Sequence, residues 1–149
     1  GLSEMARFIK DALEKTGKIR VTLRPLSQQE LIDVLRSGTS QMYLLGWKSE
    51  FGDAIDFYKT IVHTKEGNLG EFNAGGYSNS EVDTLIHASD QMFDEFKRVK
   101  ALQQIMRNIL EETPFGIPLV ETQVLYAFHS EVNFVPRIDG YIFLNELTR

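Results

Sequence analysis

Between Ser78 and Pro114 the chain carries two consecutive stretches of helical apolar spacing, each with its own start signal. Ser78-Asn-Ser-Glu81 has the form of a capping box, in which a hydroxyl takes a first-turn amide and the glutamate reaches back. Val82, Leu85, Ile86 and Met92 then recur on one face. Asp94 is placed to cap a longer helix with Phe96, Val99, Leu102, Ile105, Met106, Ile109 and Leu110 as its apolar residues. Pro114 disfavours helical backbone at Thr113, so this helix must end near Glu112. Amphipathic helices need a layer to pack on, and the residues before them predict a sheet.

Ser3 is a plausible N-cap for a first helix, with Phe8, Ile9, Ala12 and Leu13 at helical spacing and Gly17 as its stop. Ile19, Val21 and Leu23 alternate with Arg20, Thr22 and Arg24, which is strand periodicity, and Pro25 closes the run. Ser27-Gln-Gln-Glu30 is a second capping box, Leu31, Val34 and Leu35 give its helix an apolar stripe, and Gly38 ends it. Gln41 to Gly46 returns as a short apolar strand. Strand 19–24, helix 28–37 and strand 41–46 therefore predict a β-α-β unit with parallel strands and a right-handed crossover. Trp47 would then lie just beyond a strand's carboxyl end, where open α/β sheets place their ligands.

Ala54 to Val62 reads as a short helix or turn packed through Ile55, Tyr58 and Ile61. His63 to Ser80, with Gly67, Gly70, Gly75 and Gly76, reads as a long loop, and loops of that length are usually functional or mobile. Further β-like runs are Phe115–Val120 and Val124–His129, and Asp139-Gly140 signals a turn.

Several function classes are disfavoured. A length of 149 residues with 42% apolar content suits one domain, 1–149. Against 16 basic residues stand 21 acidic ones, and no run of Lys and Arg offers a nucleic-acid face. Cysteine is absent, which excludes disulfides, thiolate metal sites and a thiol nucleophile. No GxSxG, GxGxxG or GxxxxGK[ST] occurs. His63, His87 and His129 lie far apart with no ligand spacing, so they read as structural histidines; no metal and no cofactor is expected. Apolar runs fall short of the roughly 18–20 residues of a membrane span. The Gly-Leu-Ser opening lacks an initiator methionine, so a trimmed start and a longer parent protein are expected.

Candidate chemistry gathers around Trp47 and the carboxylates Glu50, Asp53 and Asp56. Asp53 and Asp56 are best explained as acids at the positive end of the next helix. Glu50 precedes that helix, and a carboxylate beside an aromatic face suits a ligand ammonium through ion pairing and cation–π attraction. A single tryptophan is also often a core residue.

These residues carry a resemblance. Gly46-Trp47, Glu50 and Gly52-Asp53 resemble the G-W-x-x-D-x-x-[DE]-P stretch of the extracytoplasmic solute-binding proteins of the peptide/nickel ABC-transporter family, which include oligopeptide- and dipeptide-binding proteins. Asn73-Ala-Gly-Gly-Tyr77-Ser-Asn-Ser-Glu-Val-Asp83 is similar to the family's N-x-x-G-Y-x-N-P-E-V-D run. Ile109 to Pro114 with Ile117-Pro-Leu119 resembles its L-x-x-x-x-P-x-I-P-L stretch, and Ser3–Gly17 with the strand after it resembles the opening of this region. Each motif is weak alone; four in the correct order are not. Glu50 stands where the family usually has Asp, Ala54 where it often has Pro, and Ser80 replaces the Pro before Glu81.

The resemblance implies an α/β, periplasmic-binding-protein-like (type II) lobe, a mixed sheet with flanking helices, as the carboxyl-terminal portion of a two-lobe protein. It implies the substrate-binding component of an ABC importer rather than an enzyme. The partners would be a peptide or other small solute, the permease subunits and the missing amino-terminal lobe. Localisation would be extracytoplasmic, in the periplasm or at the cell surface, with a lipid anchor compatible in a full-length form. Ligand-binding residues would be Trp47 as an apolar wall, Glu50 as the anchor for a ligand's ammonium group, and Asn73 and Tyr77 as hydrogen-bonding or gating residues. An oligosaccharide-binding member, a cytoplasmic ligand-sensing module and, more remotely, a hydrolase are the alternatives.

Overall fold

A computed structural model describes every residue except Glu50, Phe51, Ile138 and Arg149. In chain order it contains α1 (Leu2–Glu14), α2 (Gln28–Ser37), α3 (Ala54–Phe57) running into a π-helical turn (Tyr58–Val62), α4 (Ser80–Asp90), and α5 (Glu95–Arg107) with its own π-helical turn (Asn108–Glu112). A short 3₁₀ turn spans Leu144–Glu146.

The helices begin and end largely where local chemistry dictates. Ser27 accepts the Glu30 amide while the Glu30 carboxylate takes the Ser27 amide at 2.8 Å, closing the expected box. Gly38 supplies the left-handed residue that stops α2, at φ +63°, and the Lys65 ammonium meets the final carbonyls of Leu35 and Arg36. Asp94 caps α5 through the Lys97 amide, as its position predicts. Two caps differ from expectation. The first helix starts at Leu2 rather than behind Ser3. Asn79, not Ser78, caps α4: its side-chain oxygen takes the amides of Glu81 and Val82, while the Ser78 hydroxyl lies 3.1 Å from that of Thr64.

The core lies where α3 with its π-turn, α4 and α5 with its π-turn meet. Tyr58, Val62, Val82, Ile86, Ile105 and Ile109 form it, with Ala54, Ile55, Phe57, Tyr77, Leu85, Leu102 and Phe115 packed around them. Buried Tyr58 gives its hydroxyl hydrogen to the Leu102 carbonyl at 3.1 Å, and burial pushes its pKa up to about 12. Arg98 of α5 joins all three pieces, bonding Asp53 at the start of α3 at 2.6 Å and the Ser89 carbonyl near the end of α4 at 3.2 Å. Asp53 does cap α3, through the Ile55 amide. The Arg98 guanidinium holds its carboxyl below the usual aspartate value, helped by that amide and opposed by burial.

The predicted β-α-β unit does not form. Among the described residues no strand ladder exists, only the isolated bridges Glu66 with Leu69 and Asn133 with Thr148. Neither 19–24 nor 41–46 is a strand, nor are 115–120 and 124–129. At Val21 the reason is visible. Its amide is taken by the Glu14 carboxylate at 2.9 Å and its carbonyl by the Lys10 ammonium at 2.8 Å, both from α1. A strand needs a second backbone about 4.8 Å away, and among the described residues no neighbouring segment pairs with this one. Among the described residues no helix is long and apolar enough to cross a membrane.

The long loop after His63 is tightly tied to the helices. A helix end leaves its last carbonyls without intrahelical partners, and this loop supplies them. The Gly70 amide meets the Lys59 carbonyl at 2.8 Å and the Phe72 amide meets that of Thr60 at 3.0 Å. Gly70 has no alternative residue: at φ +62° a Cβ there would lie 2.2 Å from the His63 carbonyl oxygen.

Candidate functional site

Trp47, 36% exposed, lies 6.2 Å between ring centroids from Phe57 of α3. Phe57 meets Phe115 edge-on at 6.3 Å, and Phe115 meets Tyr77 edge-on at 5.6 Å. Residues from four separate segments thus form one continuous aromatic series from Trp47 to Tyr77. Such contacts add about 0.5–1.5 kcal/mol each beyond area burial. The position expected for Trp47, above a strand's carboxyl end, is replaced by this place against α3.

Two further contacts hold the ends of the series. The Tyr77 hydroxyl and the Thr113 hydroxyl are 2.8 Å apart, and the Asn79 amide also donates to Thr113 at 3.0 Å. Tyr43, in the segment leading to Trp47, meets the Gly75 backbone through its hydroxyl, and burial raises its pKa. After Trp47, the Lys48 ammonium reaches the Asp139 carbonyl at 2.6 Å. The segment carrying Trp47 is therefore held against both the glycine-rich loop and the Asp139-Gly140 turn.

Asn73 occupies a different place from the aromatic rings. It is 1% exposed, and its amide nitrogen donates to the carbonyls of His63 and Tyr77 at 3.0 and 2.7 Å. Its oxygen takes the Tyr77 amide at 3.0 Å. Asn73 thus shapes the turn that presents Tyr77. Glu50, the expected ammonium anchor, lies outside the described residues.

The fold brings Trp47 and Tyr77 into one series and supports Tyr77 through Asn73. It adds Phe57 and Phe115, which sequence reasoning left unassigned. Phe115 sits directly after the helix-ending Pro114, at the start of an expected strand, and Phe57 beside Tyr58, so neither carries a signal of its own in the sequence. A row of partly exposed aromatic rings can receive an apolar side chain, stack on a sugar ring or attract a ligand cation.

No family model and no solved structure matches the chain. Three curated proteins are similar to it. It is 27% identical over 114 residues to di/tripeptide-binding protein 4 of Pseudomonas aeruginosa (strain UCBPP-PA14), covering 76% of this chain and 21% of that protein. It is 26% identical over 112 residues to the oligopeptide-binding protein OppA of Bacillus subtilis (strain 168), covering 75% of this chain and 20% of that one. It is 24% identical over 149 residues to the probable D,D-dipeptide-binding periplasmic protein DdpA of Escherichia coli (strain K12), covering 97% of this chain and 28% of that one. All three are named for binding peptides. The chain spans only 20% to 28% of the length of these relatives.

Proposed function

We propose that this chain is part of the substrate-binding component of an ABC importer, capturing a short oligopeptide outside the membrane and delivering it to permease subunits. The similarity to three peptide-binding proteins over three-quarters or more of the chain carries this reading. The aromatic series from Trp47 to Tyr77 agrees with it. In this account Trp47 forms an apolar wall for a ligand side chain, and Glu50 pairs with the peptide's α-ammonium group. Tyr77 stands at the far end of the series, on the turn that Asn73 shapes. Binding is non-covalent, and closure of a second lobe over the ligand would favour the closed form by its higher affinity. The unladdered segments 19–24, 41–46 and 115–120 would find strand partners in the rest of a longer protein, completing a mixed sheet.

An oligosaccharide ligand is the second reading, favoured by the partly exposed Trp47 ring, which suits a sugar face. Calorimetric titration of the full-length protein with tripeptides and with trisaccharides separates the two. The peptide reading predicts saturable heat with peptides alone, weakened at least about tenfold in Trp47→Ala, the loss of about 1.4 kcal/mol expected for one aromatic contact. Unchanged peptide affinity in Glu50→Gln would remove the ammonium-anchor role. Binding of sugars without peptides would overturn the peptide assignment.

A further inference from the structure

Folding brings together two histidines that stand 24 residues apart in sequence. His63 Nε2 and His87 Nε2 face each other at 3.1 Å, with the rings at 84° and their centroids 5.0 Å apart. We propose that this pair is a two-histidine site for a borderline divalent cation of the zinc class, separate from the aromatic series.

The His63 ring is held in the tautomer a metal ligand needs. It is 1% exposed, and its Nδ1 lies 2.6 Å from the Thr64 carbonyl, which can only accept. The Nδ1 therefore carries a hydrogen, and the lone pair of the neutral ring sits on Nε2, pointing at His87. Metal-bound histidines are typically held this way, with the second ring nitrogen donating to a carbonyl or carboxylate. Here a carboxylate stands behind the carbonyl: Asp83 Oδ1 is 3.7 Å from His63 Nδ1. Asp83 also holds Thr64 itself, through its amide at 3.0 Å and its hydroxyl at 2.6 Å. On the other side the His63 carbonyl is bonded by Asn73 and stands against Gly70.

His87 supplies the second arm. It lies one helical turn after Asp83 on α4 and is exposed, so ions can approach from solvent. Two imidazole nitrogens each about 2.0–2.1 Å from one ion, subtending roughly 90–110°, lie about 2.9–3.4 Å apart. The observed 3.1 Å falls inside that interval. Without an ion, His87 Nε2 donates a hydrogen to His63. With one, that hydrogen is given up to solvent and His87 takes one at Nδ1, so both Nε2 lone pairs face the ion and the ring stays neutral. Among the described residues no third His, Cys, Asp or Glu joins the pair, so water completes the coordination and the ion is exchangeable. Imidazole ligands favour zinc, copper and nickel over magnesium and calcium.

Calorimetric titration of the tag-free chain with zinc chloride at neutral pH tests this, with magnesium chloride as the control ion. The site predicts saturable binding of about one zinc per chain and none of magnesium. His87→Ala should weaken zinc at least about tenfold, the lower end of what even an outer-shell partner contributes. His87 is exposed, so that variant should fold, which thermal melting by circular dichroism verifies. His129→Ala, at a histidine outside the pair, should bind as the parent does. No saturable zinc binding, or unchanged affinity in His87→Ala, would show that the two rings form only a hydrogen bond.

Discussion

The stretch from Asp53 to Phe115 and the segments on either side of it are built on different physics. In the first, every buried apolar residue but Leu35 among the described residues is found, and helix ends, loop and ion pair close on one another. After it, Ile117, Val120, Val124, Leu125, Val135 and Leu144 are all more than half exposed, Leu125 at 90%. Before it, Phe8 on α1 is 74% exposed. The apolar residues are similar in kind. What differs is the range over which partners are needed. A helix makes its backbone bonds within four or five residues and then needs one neighbour for its stripe. A strand has no backbone partner until another strand arrives.

The comparison can be broken most severely at Gly70. A Cβ there would meet the His63 carbonyl at 2.2 Å in a left-handed backbone, so Gly70→Ala should cost about 4 kcal/mol or abolish folding in chemical denaturation. Close behind is Ile105, which is fully buried; Ile105→Ala should lose about 2–5 kcal/mol by the same measurement. Arg98→Met keeps much of the side chain's bulk but leaves Asp53 and the Ser89 carbonyl without that partner, at a cost of about 1.5–3 kcal/mol.

A smaller effect comes from acid. Asp53 has a folded pKa below its ordinary 3.8, so its contribution is complete above that value and disappears as pH falls through the lowered one. Urea midpoints measured across the acid range should therefore drop less steeply in Asp53→Asn than in the parent. Smallest of all should be Leu125→Ala, whose side chain is almost wholly in solvent: a change within about 0.5 kcal/mol, against the loss at Ile105.

The same division separates what could be read from residues alone. The α2 box of Ser27 and Glu30, its Gly38 stop, the Asp94 cap and the Asp53 cap are local, and each forms as its spacing predicts. Along α4, α5 and the π-turn that follows it, Val82, Ile86, Ile105 and Ile109 enter the core, but Phe96 and Val99 stay exposed, because periodicity marks a face without saying how much of it is covered. At α4 the box does not form and the cap falls one residue later, on Asn79, with the Ser78 hydroxyl 3.1 Å from that of Thr64, fourteen residues earlier. Asn73, Arg98 and the histidine pair find partners through tertiary placement, which leaves no spacing signature. In the site, Trp47 and Tyr77 are marked by the motifs that carry the family resemblance, whereas their link through Phe57 and Phe115 exists only once α3 and the end of α5 meet.

Hydrogen–deuterium exchange of backbone amides, resolved by residue, tests the division most directly. The account predicts slow exchange at amides in α4 and α5 and at Gly70 and Phe72, whose amides bond the π-turn, with rapid exchange throughout 117–129 and at 41–46. Protected amides alternating along 117–129 or 41–46 would contradict it, since they would show strand pairing within this chain.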